Sequence, residues 1–221
     1  MNHIKKNLEK DNEIEELAKR EMVDKNSNGH WYSRWYNLYF EPLKNDEINL
    51  LEIGILGGGS HRMWRDYFTN GKVYAIDINP VTFKHDLSGI EAFLGDASDE
   101  IFLSSIISKI TKGLDIIIDD ASHRTSEQIR TFNYLFPVMN SGGIYVIEDL
   151  QTSYMEGYKI EPNNSAVDYL KEKIDDVNWR GKGFHQNYKK LDEDIKNNLN
   201  YWEKNIESMH FYAGICFIFK R

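Results

Sequence analysis

Short apolar runs alternate with segments of helical periodicity through the middle of the chain, and this alternation constrains the fold most. Strands are predicted at 48–55, 73–78, 91–94, 114–118 and 144–147, and helices at 101–110 and 126–139. Continuous apolar runs are typical of parallel strands that are covered on both faces. The βαβ order predicts right-handed crossovers and an α/β, doubly wound sheet that binds ligands at the carboxyl ends of its strands.

Both ends of the chain depart from this order. Residues 8–22 have the pattern of an exposed amphipathic helix, so we predict an N-terminal helical extension at 1–23 and a main domain at 24–221. Near the other end, helices are predicted at 166–177 and 191–202, and strands at 209–212 and 215–219. The tight Ala213-Gly214 connection predicts a closing antiparallel hairpin. We expect the segment 154–190, which contains a mobile loop at 180–190, to form an aromatic lid that sets specificity; its aromatic residues are Tyr154, Tyr158, Trp179, Phe184 and Tyr188.

Two acidic clusters follow predicted strands. The first reads Asp119-Asp120-Ala121-Ser122-His123, and the second is Glu148-Asp149. Carboxylates gathered at these strand ends without a nearby lysine or arginine would repel one another, and we expect a bound divalent cation to relieve that repulsion. His123 would then serve as a proton acceptor at the rim, although a lone histidine near a helix start is often a cap. Glu148-Asp149 alone would more often be a helix-capping pair.

Composition excludes several classes of protein. The net charge of −8 argues against a nucleic-acid surface, and a single cysteine, Cys216, excludes an intramolecular disulfide and a Cys-based zinc site. The first twelve residues are too polar for a signal peptide, and no apolar run reaches membrane-spanning length. We therefore expect a cytoplasmic protein without membrane insertion. Basic residues at Arg180, Lys182, Lys189 and Lys190 could attract an anionic substrate, but a solvated basic face is the commoner explanation.

A glycine-rich segment, Leu51-Glu52-Ile53-Gly54-Ile55-Leu56-Gly57-Gly58-Gly59-Ser60, links the first strong strand to a helix. It lacks the G-x-G-x-x-G dinucleotide fingerprint. Asp77 closes the second strand, where it could accept hydrogen bonds from ribose hydroxyls, and Asp96 closes the third, where it could bind an adenine amino group. These positions favour S-adenosylmethionine, which has a ribose and an adenine but no phosphate. The alternative is that Asp77 and Asp96 are strand-end caps.

Several motifs together have a family likeness. They are Asp24-Lys25, His30-Trp31-Tyr32, Leu51-Glu52-Ile53-Gly54, Gly58-Gly59-Ser60, Ile118-Asp119-Asp120-Ala121-Ser122-His123, Tyr145-Val146-Ile147-Glu148-Asp149-Leu150 and Met209-His210-Phe211-Tyr212. Over about Asp24 to Phe219, the chain resembles class I S-adenosylmethionine-dependent methyltransferases, specifically the metal-dependent sugar O-methyltransferases of the macrocin and mycinamicin type.

The resemblance implies a Rossmann-like, mostly parallel seven-stranded sheet and transfer of a methyl group to a sugar hydroxyl. It implies that Asp120, Glu148 and Asp149 hold Mg²⁺ (or Mn²⁺) and that His123 is the general base. With the glycine segment and strand-end acids, the expected cofactor-binding residues are Tyr32, Glu52, Gly54, Gly58, Gly59, Ser60, Asp77, Asp96 and Asp119. Asp119 could instead orient its neighbours. A homo-oligomer is the default expectation from the family.

Other functions stay open from the sequence. A catechol-type O-methyltransferase shares the expected fold and uses Mg²⁺, but its third ligand is expected in an Asp-Asn pair, whereas this chain has Glu148-Asp149. A cephalosporin-hydroxylase-type relative or a non-catalytic cofactor-binding protein would also share the sheet. The missing dinucleotide fingerprint disfavours a dehydrogenase.

Overall fold

A computed structural model describes residues 12–158, 165–182 and 187–221. Its seven strands are ordered β3-β2-β1-β4-β5-β7-β6 in one sheet, where β1 to β7 are Asn49–Ile53, Lys72–Asp77, Ile90–Leu94, Ile116–Asp119, Ile144–Ile147, Ile206–Tyr212 and Ile215–Lys220. The chain divides into two compact units, Met1–Ala121 and Ser122–Arg221.

The first unit is a parallel sheet with flanking helices. Strand β1 pairs with both β2 and β4, and β2 pairs with β3, in each case in parallel. Its helices are α1 (Glu13–Arg20), α2 (Ser33–Phe40), α3 (Gly59–Tyr67) and α4 (Glu100–Ile107), with 3₁₀ turns at Glu41–Leu43 and Thr82–Lys84. All five residues of β1 are buried, as expected for a central parallel strand.

Aromatic side chains of α2 and α3 pack together in this unit. The Trp64 ring lies 4.9 Å from that of Tyr36 and 5.5 Å from that of Phe40, in edge-to-face arrangements. All three are fully buried. The aromatic stretch that begins at Trp31 therefore contributes Tyr36 to the core, and burial of these large rings is a main source of hydrophobic stabilisation.

The second unit closes the sheet with antiparallel strands. Strand β7 pairs antiparallel with β5 and with β6, and Gly214 at φ +79° supports the connection between β6 and β7. Its helices are α5 (Thr125–Val138), α6 (Ala166–Val177), α7 (Glu193–Asn197) and α8 (Tyr201–Asn205), with 3₁₀ turns at Leu150–Tyr154, Trp179–Lys182 and Tyr188–Lys190. The predicted closing hairpin is confirmed.

Two helices differ from the prediction. The helix predicted at 191–202 is wrong as a single element, because it is split into α7 and α8. Asn200 caps the second piece: its side chain accepts a hydrogen bond from the Glu203 N–H, which competes with continuation of the preceding helix. The helix predicted at 8–22 is described from Asn12 onward and spans Glu13–Arg20; its Ile14 and Ala18 are fully buried, so this part is not merely an exposed extension.

The remaining boundary predictions fall within a few residues of the observed elements, and the division at residue 23 stays a prediction. In the parts of the chain that the structure describes, we find no helix that combines the length and apolar character needed to cross a bilayer.

Candidate active site

The glycine segment forms the turn between β1 and α3, as predicted. Gly54 has φ +98°, and a Cβ atom there would lie 2.3 Å from the backbone oxygen of Asp120. Gly58 is the N-terminal cap of α3 at φ +71°. Only glycine fits the turn at Gly54, because the backbone that follows β4 passes directly against it. A Cβ on Gly59 would lie 3.0 Å from the Glu21 oxygen, so the segment after α1 is equally close to the start of α3.

The two acidic residues predicted to contact ribose and adenine have local backbone partners. Asp77 accepts hydrogen bonds from the N–H groups of Ile55 (2.7 Å) and Asn79 (2.7 Å), so its carboxylate supports the glycine turn. Asp96 is exposed and accepts from the Ser98 N–H at 2.7 Å. Both do act as strand-end caps. Such caps leave lone pairs on the carboxylate oxygens, so the cofactor contacts stay predictions.

Lys25 lies at the acidic cluster of the first unit, which contradicts the expectation that no cation is near these carboxylates. Its Nζ is 2.5 Å from Oδ2 of Asp120 and 3.5 Å from Oε1 of Glu52. Only 1% of the Lys25 side chain and none of the Glu52 side chain is exposed. A carboxylate oxygen of Glu52 lies within 4.8 Å of one of Asp120. The repulsion between the two acids is therefore relieved, at least in part, by a buried ammonium group.

Glu52 has a second neighbour, His61. Nδ1 of His61 is 3.3 Å from Oε2 of Glu52, and the ring is fully buried. Neither Glu52 oxygen has a hydrogen-bond partner of good geometry among the described residues. Glu52 is therefore held by ion pairing inside the protein, and its predicted contact with the cofactor stays a prediction. Ser60, also predicted to contact the cofactor, is buried with its hydroxyl 3.4 Å from Nδ1 of His61.

The loop that carries Lys25 is organised by buried Glu15 on α1. Glu15 accepts hydrogen bonds from the Ser27 N–H at 3.0 Å and from the Ser33 hydroxyl at 2.5 Å. Burial raises the pKa of Glu15, but the hydrogen bonds from Ser27 and Ser33 outweigh burial and lower it to about 2. Ser33 also donates its backbone N–H to the Lys25 carbonyl at 2.9 Å. In the same loop, Tyr32 is buried and stacks on His30 with ring centroids 5.2 Å apart.

In the second unit, His123 faces Asp149. Nε2 of His123 lies 3.4 Å from Oδ2 of Asp149, and the two side chains are 24% and 15% exposed. Gln151 donates to Oδ1 of the same carboxylate at 2.9 Å. The Thr152 hydroxyl lies 2.7 Å from the Asp149 carbonyl and 3.1 Å from the His123 carbonyl, which fixes both backbones. Nδ1 of His123 is buried and has no hydrogen-bond partner among the residues described, as expected where a polar ligand or water binds.

The remaining acidic residues follow or end strands as predicted. Glu148 follows β5 and is 2% exposed; its backbone carbonyl accepts from Nε2 of the buried Gln128 at 3.0 Å. Asp119 is the last residue of β4 and is 3% exposed. Both positions are consistent with carboxylates directed by the ends of parallel strands.

Left-handed backbone marks the same segments. Among the described residues, five non-glycine residues have positive φ, namely Met22, Trp31, Leu56, His123 and Asp149. The first two flank the Lys25 loop, the third lies in the glycine turn, and the last two are candidate site residues. Backbone strain of this kind costs about 1–3 kcal/mol per residue and concentrates at functional sites. The sequence does not reveal it, because none of these residues is glycine, and histidine and aspartate adopt it only occasionally.

The described aromatic residues of the predicted lid lie in two different places, and the lid itself stays a prediction. Tyr154 and Tyr158 closely follow β5 and are exposed at 68% and 36%. Trp179 and Tyr188 instead lie near Arg221, whose guanidinium is 4.5 Å from the Tyr188 ring. Arg221 follows Lys220, and the Lys220 N–H donates to the carbonyl of Gly143, the residue before β5. Asp149 lies just after the opposite end of β5. These two aromatics therefore lie near the amino end of β5, and the strand itself spans roughly 10 Å at ~3.3 Å per residue.

The predicted lid residue Phe184 lies outside the described residues, as does the Lys182 side chain. Arg180, Lys189 and Lys190 are exposed, which agrees with the solvated basic face.

Comparisons with known proteins agree with the resemblance seen in the motifs. The chain is 32% identical over 220 residues to mycinamicin VI 2''-O-methyltransferase of Micromonospora griseorubida, covering 94% of this chain and 52% of the relative. It is 33% identical over 221 residues to demethylmacrocin O-methyltransferase of Streptomyces fradiae, covering 94% and 53%. The chain thus spans about half the length of the curated relatives it matches. No protein-family model matches it.

A solved structure supports the same fold. MycE methyltransferase from the mycinamycin biosynthetic pathway, in complex with Mg and SAH, matches with a TM-score of 0.79 and 31% identity. The match covers 96% of this chain and 54% of that one. The predicted class I Rossmann-like fold, with its mixed seven-stranded sheet and closing hairpin, is confirmed, as is the similarity to macrocin and mycinamicin-type sugar O-methyltransferases.

Proposed function

We propose that this chain is an S-adenosylmethionine-dependent O-methyltransferase that methylates a sugar hydroxyl with the help of a divalent cation. The observation that carries the proposal is the His123–Asp149 pair, 3.4 Å apart on strained backbone, in a chain similar to sugar O-methyltransferases throughout the described fold. An alcohol oxygen is a poor nucleophile until it loses its proton. A methyl-transfer site therefore needs a group that accepts this proton, and His123 is suited to that role.

His123 would act as the general base. With Nε2 directed at Asp149, Nδ1 would be the nitrogen that takes the proton from the acceptor hydroxyl while the methyl group passes from the sulfonium sulfur to the hydroxyl oxygen and S-adenosylhomocysteine leaves. The Asp149 carboxylate then stabilises the imidazolium that forms, as an orienting carboxylate does in other catalytic pairs. Thr152 holds both residues in place through their backbone carbonyls.

Asp120, Glu148 and Asp149 would hold Mg²⁺ or Mn²⁺. Carboxylate oxygens are the hard ligands these ions prefer, and all three residues lie at or just beyond the carboxyl ends of β4 and β5, the edge where α/β sheets bind ligands. When bound, the cation supplies Lewis-acid chemistry that lowers the pKa of a coordinated hydroxyl. MycE has been solved with both Mg and SAH.

The cofactor would lie against the glycine turn. Gly54, Gly58 and Gly59 would contact it through their backbone, Asp77 would bind its ribose and Asp96 its adenine. The other proposed contacts come from Tyr32, Glu52, Ser60 and Asp119. We also propose a cytoplasmic enzyme with a saccharide-bearing small molecule as acceptor, no nucleic-acid partner and assembly as a homo-oligomer.

The test combines binding and turnover. Mn²⁺ is titrated by electron paramagnetic resonance into protein saturated with S-adenosylhomocysteine, for wild type and Glu148→Gln. We expect one site per chain that the substitution abolishes or greatly weakens. S-adenosylhomocysteine release is then followed with glycosylated acceptors and with simple catechols; turnover on catechols alone would replace the sugar proposal by the catechol-type alternative. Tight cofactor binding without any Mn²⁺ site would favour a non-catalytic binding protein.

The base assignment has its own test. Because general-base catalysis contributes about 10²–10⁴-fold, His123→Ala should lower turnover at neutral pH by a factor in this range. Cofactor affinity should stay unchanged, which separates the loss from misfolding. Near wild-type turnover would exclude His123 as the base.

A further inference from the structure

A buried lysine is joined to the acidic residue that would bind the cation. Lys25 and Asp120 are 95 positions apart in the sequence, yet Nζ of Lys25 donates to Oδ2 of Asp120 at 2.5 Å. Lys25 is 1% exposed, whereas 22% of the Asp120 side chain is exposed. The ammonium therefore approaches this carboxylate from inside the protein.

The position of Lys25 is fixed by contacts that do not involve Asp120. Ser33 donates its backbone N–H to the Lys25 carbonyl at 2.9 Å. Glu15 holds the same loop at two further points, because its carboxylate accepts hydrogen bonds from the Ser27 N–H and from the Ser33 hydroxyl. These contacts fix the Lys25 backbone, and the burial of the side chain directs its ammonium toward Asp120 and Glu52.

The backbone of Asp120 is fixed separately. Its N–H donates to the Ile53 carbonyl at 3.1 Å, and its own carbonyl lies against Gly54. The hydrogen bond from Lys25 restricts rotation of the Asp120 side chain. A carboxylate that accepts from an ammonium through one oxygen can present the other to a cation, and such outer partners orient metal ligands.

Charge could work against this arrangement, because an ammonium near a divalent cation repels it. Glu52 offsets that effect. Its carboxylate is fully buried and 3.5 Å from Nζ of Lys25, so the Lys25–Glu52 pair adds no net charge to the site. Orientation of Asp120 is then the larger contribution of Lys25.

We propose that Lys25 is a positioning residue, whose ammonium orients the Asp120 carboxylate for the divalent cation while Glu52 balances its charge. This inference rests on the proposed function for the cation itself. Loss of an outer partner typically lowers metal affinity about 10–100-fold, and we expect Lys25→Met to weaken Mn²⁺ binding in this range.

Four proteins test it: wild type, Lys25→Met, Lys25→Arg and Lys112→Met, each saturated with S-adenosylhomocysteine and titrated with Mn²⁺. Lys112 pairs with Glu47 on the surface, both about 70% exposed, and serves as the matched control. Lys25→Met should lose Mn²⁺ affinity at unchanged S-adenosylhomocysteine affinity. Lys25→Arg should recover part of it, and Lys112→Met should equal wild type. If Lys25→Met does not fold, Lys25→Gln takes its place with the same expectation.

Several results of the Mn²⁺ titrations would overturn the proposed role of Lys25. Equal Mn²⁺ affinity in wild type and Lys25→Met overturns the inference and leaves the proposed function standing. Tighter binding in Lys25→Met also overturns it, because Lys25 would then be a competitor of the cation. A parallel loss of S-adenosylhomocysteine affinity would mean a general structural role and overturn it too. No Mn²⁺ site in wild type would remove the metal-dependent function, and this inference with it.

Discussion

The two units hold their candidate site residues by different means. In the first unit, side chains from distant parts of the sequence fix the carboxylates: Lys25 reaches Asp120 and Glu52 across a loop that Glu15 organises. In the second, His123 and Asp149 are held by their own backbones, both left-handed at φ +56° and +55°. Buried ion pairs therefore hold the carboxylates of the first centre, whereas in the second centre the site residues themselves have left-handed backbone. Substitutions that change charge or volume should affect the first, and substitutions that relieve strain should affect the second.

The largest effect is expected at the glycine turn of the first unit. In Gly54→Ala, the added Cβ would lie 2.3 Å from the Asp120 carbonyl oxygen at φ +98°. Overlap with backbone and positive φ together should lower the free energy of unfolding by about 3 kcal/mol or more. Urea denaturation followed by circular dichroism measures it.

Gly57→Ala is the matched control in the same turn. A Cβ there meets no atom within 4 Å and its φ is not positive, so we expect a change within about 0.5 kcal/mol. Equal stability of the two variants would show that the segment after β4 moves away from Gly54 at little cost, and that Asp120 is less firmly fixed than described here.

The parallel part of the sheet could be predicted from sequence because its strands are continuous apolar runs with carboxylates directly after them. Asp119, Asp120 and Glu148 lie where this pattern places them. Lys25 as the partner of Asp120 could not be predicted, since 95 residues separate the two and only the tertiary fold brings them together. The Asp24-Lys25 motif was the one available signal.

Conformational features were the second gap. Helical periodicity continues through 191–202, which predicts one helix. The hydrogen bond from the Glu203 N–H to the Asn200 side chain instead starts a second helix at this point. Positive φ at His123 and Asp149 could not be predicted either, because histidine and aspartate tolerate it but do not require it. The location of Trp179 and Tyr188 near Arg221 could not be predicted, because an aromatic-rich composition does not specify which end of the strands a segment covers.

Acid should affect the first unit through Glu15. Its pKa is lowered from 4.5 to about 2, so the stability it contributes is complete above its ordinary value and is lost as pH falls through about 2. At ~1.4 kcal/mol per pKa unit the full contribution is about 3 kcal/mol, of which about 2 kcal/mol should disappear between about pH 5.5 and about pH 3.

Glu15→Gln isolates this contribution, because it lacks the titrating group while other acids titrate as before. The difference in unfolding free energy between wild type and Glu15→Gln should shrink by about 2 kcal/mol over that pH range. Glu16→Gln, exposed on the same helix, should follow wild type. A difference that does not change with pH would mean that Ser27 and Ser33 contribute nothing specific to the ionised form.

The smallest effect concerns strain in the second unit. His123→Gly and His123→Ala both remove the imidazole, so they differ only in how well they tolerate φ +56°. Glycine adopts this conformation freely, and His123→Gly should be more stable than His123→Ala by about 1 kcal/mol. His85 provides the opposite case: at φ −77°, His85→Gly should be less stable than His85→Ala by about 0.5 kcal/mol. Urea denaturation of the four variants measures both differences. If His123 showed the same order as His85, the left-handed backbone would relax once the side chain is gone, and the imidazole contacts rather than Thr152 would be what imposes it.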